Sequence, residues 1–126
     1  MSELHLTLEA TDIQSMLEAF SAGDALGMPT EFMTRSSIKG RFGLVDSFIA
    51  PSESQNHPNL RRAEITDDTE QNICLMSAYA RRGRINTTET ATTLLTWVRE
   101  SGAVEKNYIG PSSLEALKAI EKGCDP

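Results

Sequence analysis

Thr66-Asp67-Asp68-Thr69-Glu70-Gln71-Asn72-Ile73-Cys74-Leu75-Met76-Ser77-Ala78-Tyr79-Ala80-Arg81-Arg82-Gly83 is the stretch that sets the fold class. Its Asp/Thr and Glu/Gln spacings overlap as in a capping box, which predicts that a helix starts here. Ile73, Met76, Tyr79 and Ala80 then recur at helical intervals as the face expected to be buried, and Arg82-Gly83 stops the run.

Three further segments share that period. Upstream, Thr11 or Asp12 can cap a helix whose apolar face is Ile13, Met16, Leu17 and Phe20, with Gly23 and Gly27 marking its end. Downstream, a helix following Thr87 or Thr88 lines up Ala91, Leu94, Leu95 and Val98, with Trp97 beside them and Ser101-Gly102 as terminator. The last opens with Pro111 in a favoured first-turn position, offers a Ser112 to Glu115 capping box, turns Leu114, Leu117 and Ile120 inward and ends at Gly123. No alternating pattern longer than a few residues competes, so the chain reads as all-α. Between Gly27 and Glu64 lies a long, mostly non-periodic stretch, in which Phe42 to Ile49 is the one piece that reads as extended or hairpin.

The totals exclude several classes. A chain of 126 residues holds one core and one domain, and 39% hydrophobic with 24% charged residues is ordinary for a soluble globular protein. A net charge of −6 argues against a surface built for nucleic acid or anionic membrane. Met1 to His5 lacks the features of a secretory signal, which leaves the cytoplasm as the expected location. Cys74 and Cys124 form neither a disulfide framework nor a metal-ligand spacing, and His5 and His57 stand apart from any cluster of recognised spacing.

Three places could carry chemistry. Thr66-Asp67-Asp68-Thr69 converges hard oxygen donors of the kind Mg²⁺ and Mn²⁺ prefer. Helix capping and dipole complementarity account for the same residues, although one side chain suffices for a cap. Gly23-Asp24-Ala25-Leu26-Gly27-Met28-Pro29-Thr30-Glu31-Phe32 is a helix end leading into a loop that presents Glu31. Ile109-Gly110-Pro111-Ser112-Ser113-Leu114 is a glycine turn opening a helix, whose free N–H groups suit water, an anion or a sugar.

Taken together and in this order, the three motifs resemble the ADP-ribosylglycohydrolase family, including its dinitrogenase-reductase-activating glycohydrolase type. Gly23 to Phe32 matches a G-D-A-L-G-x-P-x-E-F type segment, Thr66 to Thr69 a T-D-D-T metal motif, and Gly110 to Leu117 the glycine turn of a later helix. The resemblance implies an all-α orthogonal helical bundle, of which residues 1–126 form the amino-terminal segment of a single domain, with its carboxyl-terminal half absent. It implies a cleft holding two Mg²⁺ or Mn²⁺ ions and ADP-ribose, and a hydrolase that cuts the bond between ribose C1 and a modified protein side chain. Thr66, Asp67 and Asp68 would be metal ligands, Glu31 a catalytic residue near the scissile ribose, and Gly110 and Ser112 substrate-binding residues.

The sequence departs from the family pattern in two respects. Tyr108 stands where some members have an aspartate two residues before the matching glycine, which keeps a different ADP-ribosyl or nucleotide-sugar linkage in play. The second ligand set, a D-x-D-T type motif, and a glycine-rich phosphate-binding segment do not occur in residues 1–126. Expected partners are therefore an ADP-ribosylated protein or an ADP-ribose-like molecule, together with self-association or pairing with a carboxyl-terminal half. Exposed apolar helix faces are the expected physical sign of that need. The rival reading is a non-catalytic helical module.

Overall fold

The computed structural model describes residues 9–126; His5 lies outside them. Five α-helices follow one another: α1 Ala10–Gly27, α2 Arg35–Phe42, α3 Asp67–Arg82, α4 Thr87–Ser101 and α5 Pro111–Glu121, with short 3₁₀ turns at Met28–Thr30 and Pro51–Glu53. No strand occurs among the described residues, as the all-α reading requires. The expected extended piece at Phe42 to Ile49 is not formed: Phe42 closes α2, and irregular backbone follows. Helix α2 has no buried residue and therefore no apolar period to announce it. It is set by its ends, where the Thr34 hydroxyl accepts from the Ser37 N–H and Gly43 takes a φ of 70°.

Helix α3 packs along α4, α4 against α5, and α1 against α3. The buried centre consists of Met28, Leu60, Trp97, Ala103, Tyr108 and Leu117, with Cys74, Leu94, Leu95, Val98 and Ile109 packed around it. The face expected for α4 thus does turn inward, and Asn86 starts that helix through reciprocal bonds with Glu89. Gly102 ends it in the left-handed conformation, at φ 72°. Helix α5 also buries Leu117, but its expected capping box is not made. Gly110 occupies the cap position, which leaves Ser112 inside the first turn with no carbonyl or N–H to pair as an N-cap would.

Two apolar faces read from the sequence are not covered. Ile73, Met76 and Tyr79 on α3 are exposed, as is Ala80, while Ala78 and part of Cys74 take the inward side. On α1, Ile13, Met16 and Phe20 are exposed and Leu17 is half-buried. The periodicity is present in both helices; what it lacks, among the described residues, is a partner surface. Helix α1 also starts earlier than Thr11 or Asp12 would allow. Glu9 precedes it, and Asp12 accepts the Glu9 N–H at 2.9 Å as the third residue of the first turn. No described helix is long and apolar enough to cross a membrane.

Candidate metal and substrate site

Asp24, on the last turn of α1, organises the site. Its Oδ2 accepts the Thr66 backbone N–H at 2.8 Å and the Thr69 hydroxyl at 2.6 Å, and its Oδ1 accepts the Thr66 hydroxyl at 2.6 Å. Thr66 and Thr69 are both buried, so these bonds replace water for groups that have no other access to it. This arrangement differs from a simple cap at the start of α3. The Thr66 side chain makes no capping bond. Its hydroxyl proton is committed to Asp24, which leaves the oxygen lone pairs as acceptors with a fixed direction, the state a hydroxyl must be in to bind a cation.

Asp67 and Asp68 follow in the first turn of α3. Asp67 Oδ2 accepts the Gly110 N–H at 2.9 Å and the Gln71 amide at 3.2 Å, which ties the start of α3 to the start of α5. Burial pushes the Asp67 carboxyl above its usual range, and the Asp68 and Glu31 charges push the same way against the bond from Gly110. Carboxylates drawn together at such a cost are what a divalent cation relieves. Among the described residues no three His, Cys, Asp or Glu side chains form a metal-holding group. Two carboxylates and one threonine hydroxyl border the same cavity, all hard oxygens of the kind that could hold Mg²⁺ or Mn²⁺ with water completing the shell.

These groups open on a cavity of about 600 Å³ lined by Phe20, Gly23, Asp24, Gly27, Met28, Glu31, Thr66, Asp67, Asp68, Gly110 and Ser113, among others. All but one of the residues expected at a site therefore meet in one place. The exception is Ser112, which is exposed and does not line the cavity, whereas its neighbour Ser113 does. Gly23 and Gly27 line this cavity, but neither adopts a positive φ and a Cβ on either would meet nothing within 4 Å among the described residues, so neither close packing nor backbone conformation requires glycine there. Tyr108 lies elsewhere: it is buried, and its hydroxyl donates to Glu70 Oε2 at 2.7 Å beside the Trp97 N–H at 2.8 Å. Burial, followed by that carboxylate, raises the phenol above its ordinary value and keeps it a donor.

Two participants escaped the sequence reading. Asp24 sits inside a motif that was singled out, yet no role attached to it. His57 was assigned none, and it is buried against the Glu31 carboxylate, Nε2 to Oε2.

Comparison with known proteins agrees with this geometry. The family model described as ADP-ribosylglycohydrolase matches residues 10–126. The chain is similar to the uncharacterized protein YegU of Escherichia coli, with 41% identity over 80% of the chain and 31% of the relative. It is also similar to an uncharacterized protein of Archaeoglobus fulgidus, with 33% identity over 82% of the chain and 32% of the relative. The chain thus spans about a third of the length of the curated relatives it matches.

Proposed function

The chain belongs to the ADP-ribosylglycohydrolase family, and on that premise we propose that it contributes the first half of a divalent-metal site to a hydrolase that removes ADP-ribose from modified side chains. The observation that carries the reading is the use of the T-D-D-T residues. Thr66 is turned away from capping and oriented by Asp24, while Asp67 and Asp68 face the same cavity as Glu31.

In this reading Thr66, Asp67 and Asp68 hold Mg²⁺ or Mn²⁺, which when bound polarises water and orients the ribose hydroxyls. Glu31 lines the same cavity, where it takes a proton from water as the water oxygen bonds to ribose C1 and the bond from C1 to the side chain breaks, that proton passing on to the released side chain. The Gly110 turn positions Asp67 through its N–H and offers the open first turn of α5 to the substrate, with Ser113 as the nearer hydroxyl. The engagement of Tyr108 with Glu70 removes it from the reacting side, so the linkage preference falls to the other residues of the cavity.

The uncovered faces of α1 and α3 favour a second statement: the active assembly includes further protein packed on Ile13, Met16 and Phe20 and on Ile73, Met76 and Tyr79. The test of the metal site is isothermal titration of Mg²⁺ and Mn²⁺ into the chain and into Asp67→Asn/Asp68→Asn, with folding checked by circular dichroism. Binding that disappears in the variant is the expected result. A folded chain that binds neither ion would overturn the reading.

A further inference from the structure

Glu31 belongs to a loop and is 43% exposed, yet it is not free. The residue after it, Phe32, has a φ of 59°, a left-handed conformation that costs a bulky side chain on the order of 1 kcal/mol and persists only where surrounding contacts enforce it. Those contacts come from residues 25 and 26 positions further on. The Asn56 amide donates to the Glu31 carbonyl at 2.6 Å, and the His57 ring meets the Glu31 carboxylate.

His57 is itself held firmly. It is 4% exposed, and its backbone N–H donates to the buried Ser54 hydroxyl at 3.0 Å. The same hydroxyl accepts the Asn56 N–H at 3.3 Å, so one serine shapes the turn that carries both clamping residues. The imidazole Nδ1 is buried and has no partner among the described residues. A buried N–H without an acceptor costs more than an empty lone pair, so the proton belongs on Nε2, where Glu31 receives it. The Nε2 donor of the ring is spent on Glu31.

We propose that His57 is a positioning residue that fixes the Glu31 carboxylate at the wall of the Asp67–Asp68 cavity, with Asn56 fixing the backbone beneath it. The chemical value of this, which rests on the hydrolase reading above, is that a proton acceptor on a loop is held in one orientation instead of sampling several. Glu31 borders two cavities, the one that contains Asp67 and Asp68 and a second of about 350 Å³ lined by His57, Asn56 and Tyr108. The His57 bond anchors the carboxylate from the second side while leaving it accessible from the first.

The experiment compares the wild-type chain with His57→Phe, His57→Gln and Glu31→Gln. Nitrogen-15 spectra of the imidazole are expected to show a protonated Nε2 and a bare Nδ1, with Nε2 shifting in Glu31→Gln. The Glu31 side-chain carboxyl carbon is expected to shift in His57→Phe and to return towards the wild-type position in His57→Gln, whose amide can still donate. A protonated Nδ1, or ring signals indifferent to Glu31→Gln, would overturn the proposal, and the Glu31 variant keeps it decidable if His57→Phe does not fold. Carried in the complete hydrolase assembly and assayed on an ADP-ribosylated arginine peptide, His57→Phe is expected to lower kcat roughly 10- to 100-fold with KM unchanged, and His57→Gln to recover part of it. An unchanged kcat would also defeat the proposal. Titration of Mg²⁺ into the wild type separates the two levels: absence of metal binding there sinks the hydrolase reading, while the spectra still decide whether His57 holds Glu31.

Discussion

Helices α3 and α4 lie side by side and begin with similar side chains, Thr66-Asp67-Asp68-Thr69-Glu70 in one and Asn86-Thr87-Thr88-Glu89 in the other. The start of α4 closes on itself: Asn86 accepts the Glu89 N–H at 2.9 Å and Glu89 accepts the Asn86 N–H at 3.2 Å. The start of α3 reaches outward. Thr66 and Thr69 bond to Asp24 on α1, Asp67 bonds to the turn before α5, and Glu70 receives Trp97 and Tyr108. The difference teaches that a capping pattern in sequence identifies a helix start without saying what its side chains do. Here Thr66, Asp67, Thr69 and Glu70 are engaged in tertiary contacts, while Asp68 is exposed at the cavity they border.

The sharpest break of that comparison is Asp24→Ala. It leaves the Thr66 N–H and two hydroxyls without their acceptor, at a cost of about 1 kcal/mol or more for each bond. We expect a loss of roughly 3 kcal/mol in urea unfolding, together with loss of Mg²⁺ binding, because nothing then orients Thr66. Metal binding that survives in a folded Asp24→Ala chain would show that Thr66 needs no such support.

Asn86→Ala is the counterpart at α4. It removes a cap that serves its own helix, so about 1 kcal/mol of stability is expected to go, and Mg²⁺ binding should stay as it was. The titrations and unfolding curves of these two variants form one experiment. If Asn86→Ala altered metal affinity as Asp24→Ala does, the distinction between a cap and a site would fail.

The contrast also explains what the sequence made legible. The carboxyl end of α4, its inward face, and the grouping of Asp67, Asp68, Glu31 and Gly110 on one cavity could be read because they depend on local period, turn chemistry or a resemblance carried by contiguous residues, whereas the start of α4 lies earlier than Thr87 or Thr88, at an Asn86 cap. The burial of α3 could not, because a period of Ile73, Met76 and Tyr79 identifies an apolar side without identifying what covers it, and here Ala78 faces the core. Helix α2 escaped because it buries nothing. Asp24 and His57 escaped because their partners lie 42 and 26 residues away. The only local hint for His57 was the run of turn-forming residues from Ser54 to Pro58, and it became informative only with the Ser54 bonds in view. Ser112 and Ser113 differ by a single helical position, which is 100° around the axis and enough to exchange the exposed side for the cavity.

Glu64 refines the comparison at its smallest scale, as an acidic residue two positions before Thr66 whose role is structural. Its Oε2 accepts the Arg61 N–H at 2.6 Å and its Oε1 the Lys106 ammonium at 3.1 Å, joining the approach to α3 with the connector between α4 and α5. Partial burial works to raise its pKa, but the Arg61 N–H and the Lys106 charge outweigh it and hold the carboxyl below the ordinary range. A carboxyl depressed in the folded state stabilises the fold above its unfolded pKa, about 4.3, and that contribution is lost as pH falls through the folded value. Glu64→Gln keeps one oxygen for the Arg61 N–H but turns an amide NH₂ towards the Lys106 ammonium, so the charge and that bond are both lost, at an expected cost of about 1 kcal/mol at pH 7. The gap between wild type and variant in urea unfolding should close as the pH is lowered beneath the carboxylate range, and Mg²⁺ titration should be the same for both. A gap that widened in acid would mean that the Glu64 charge opposes the fold, and altered metal binding would place Glu64 in the site with Asp67 and Asp68.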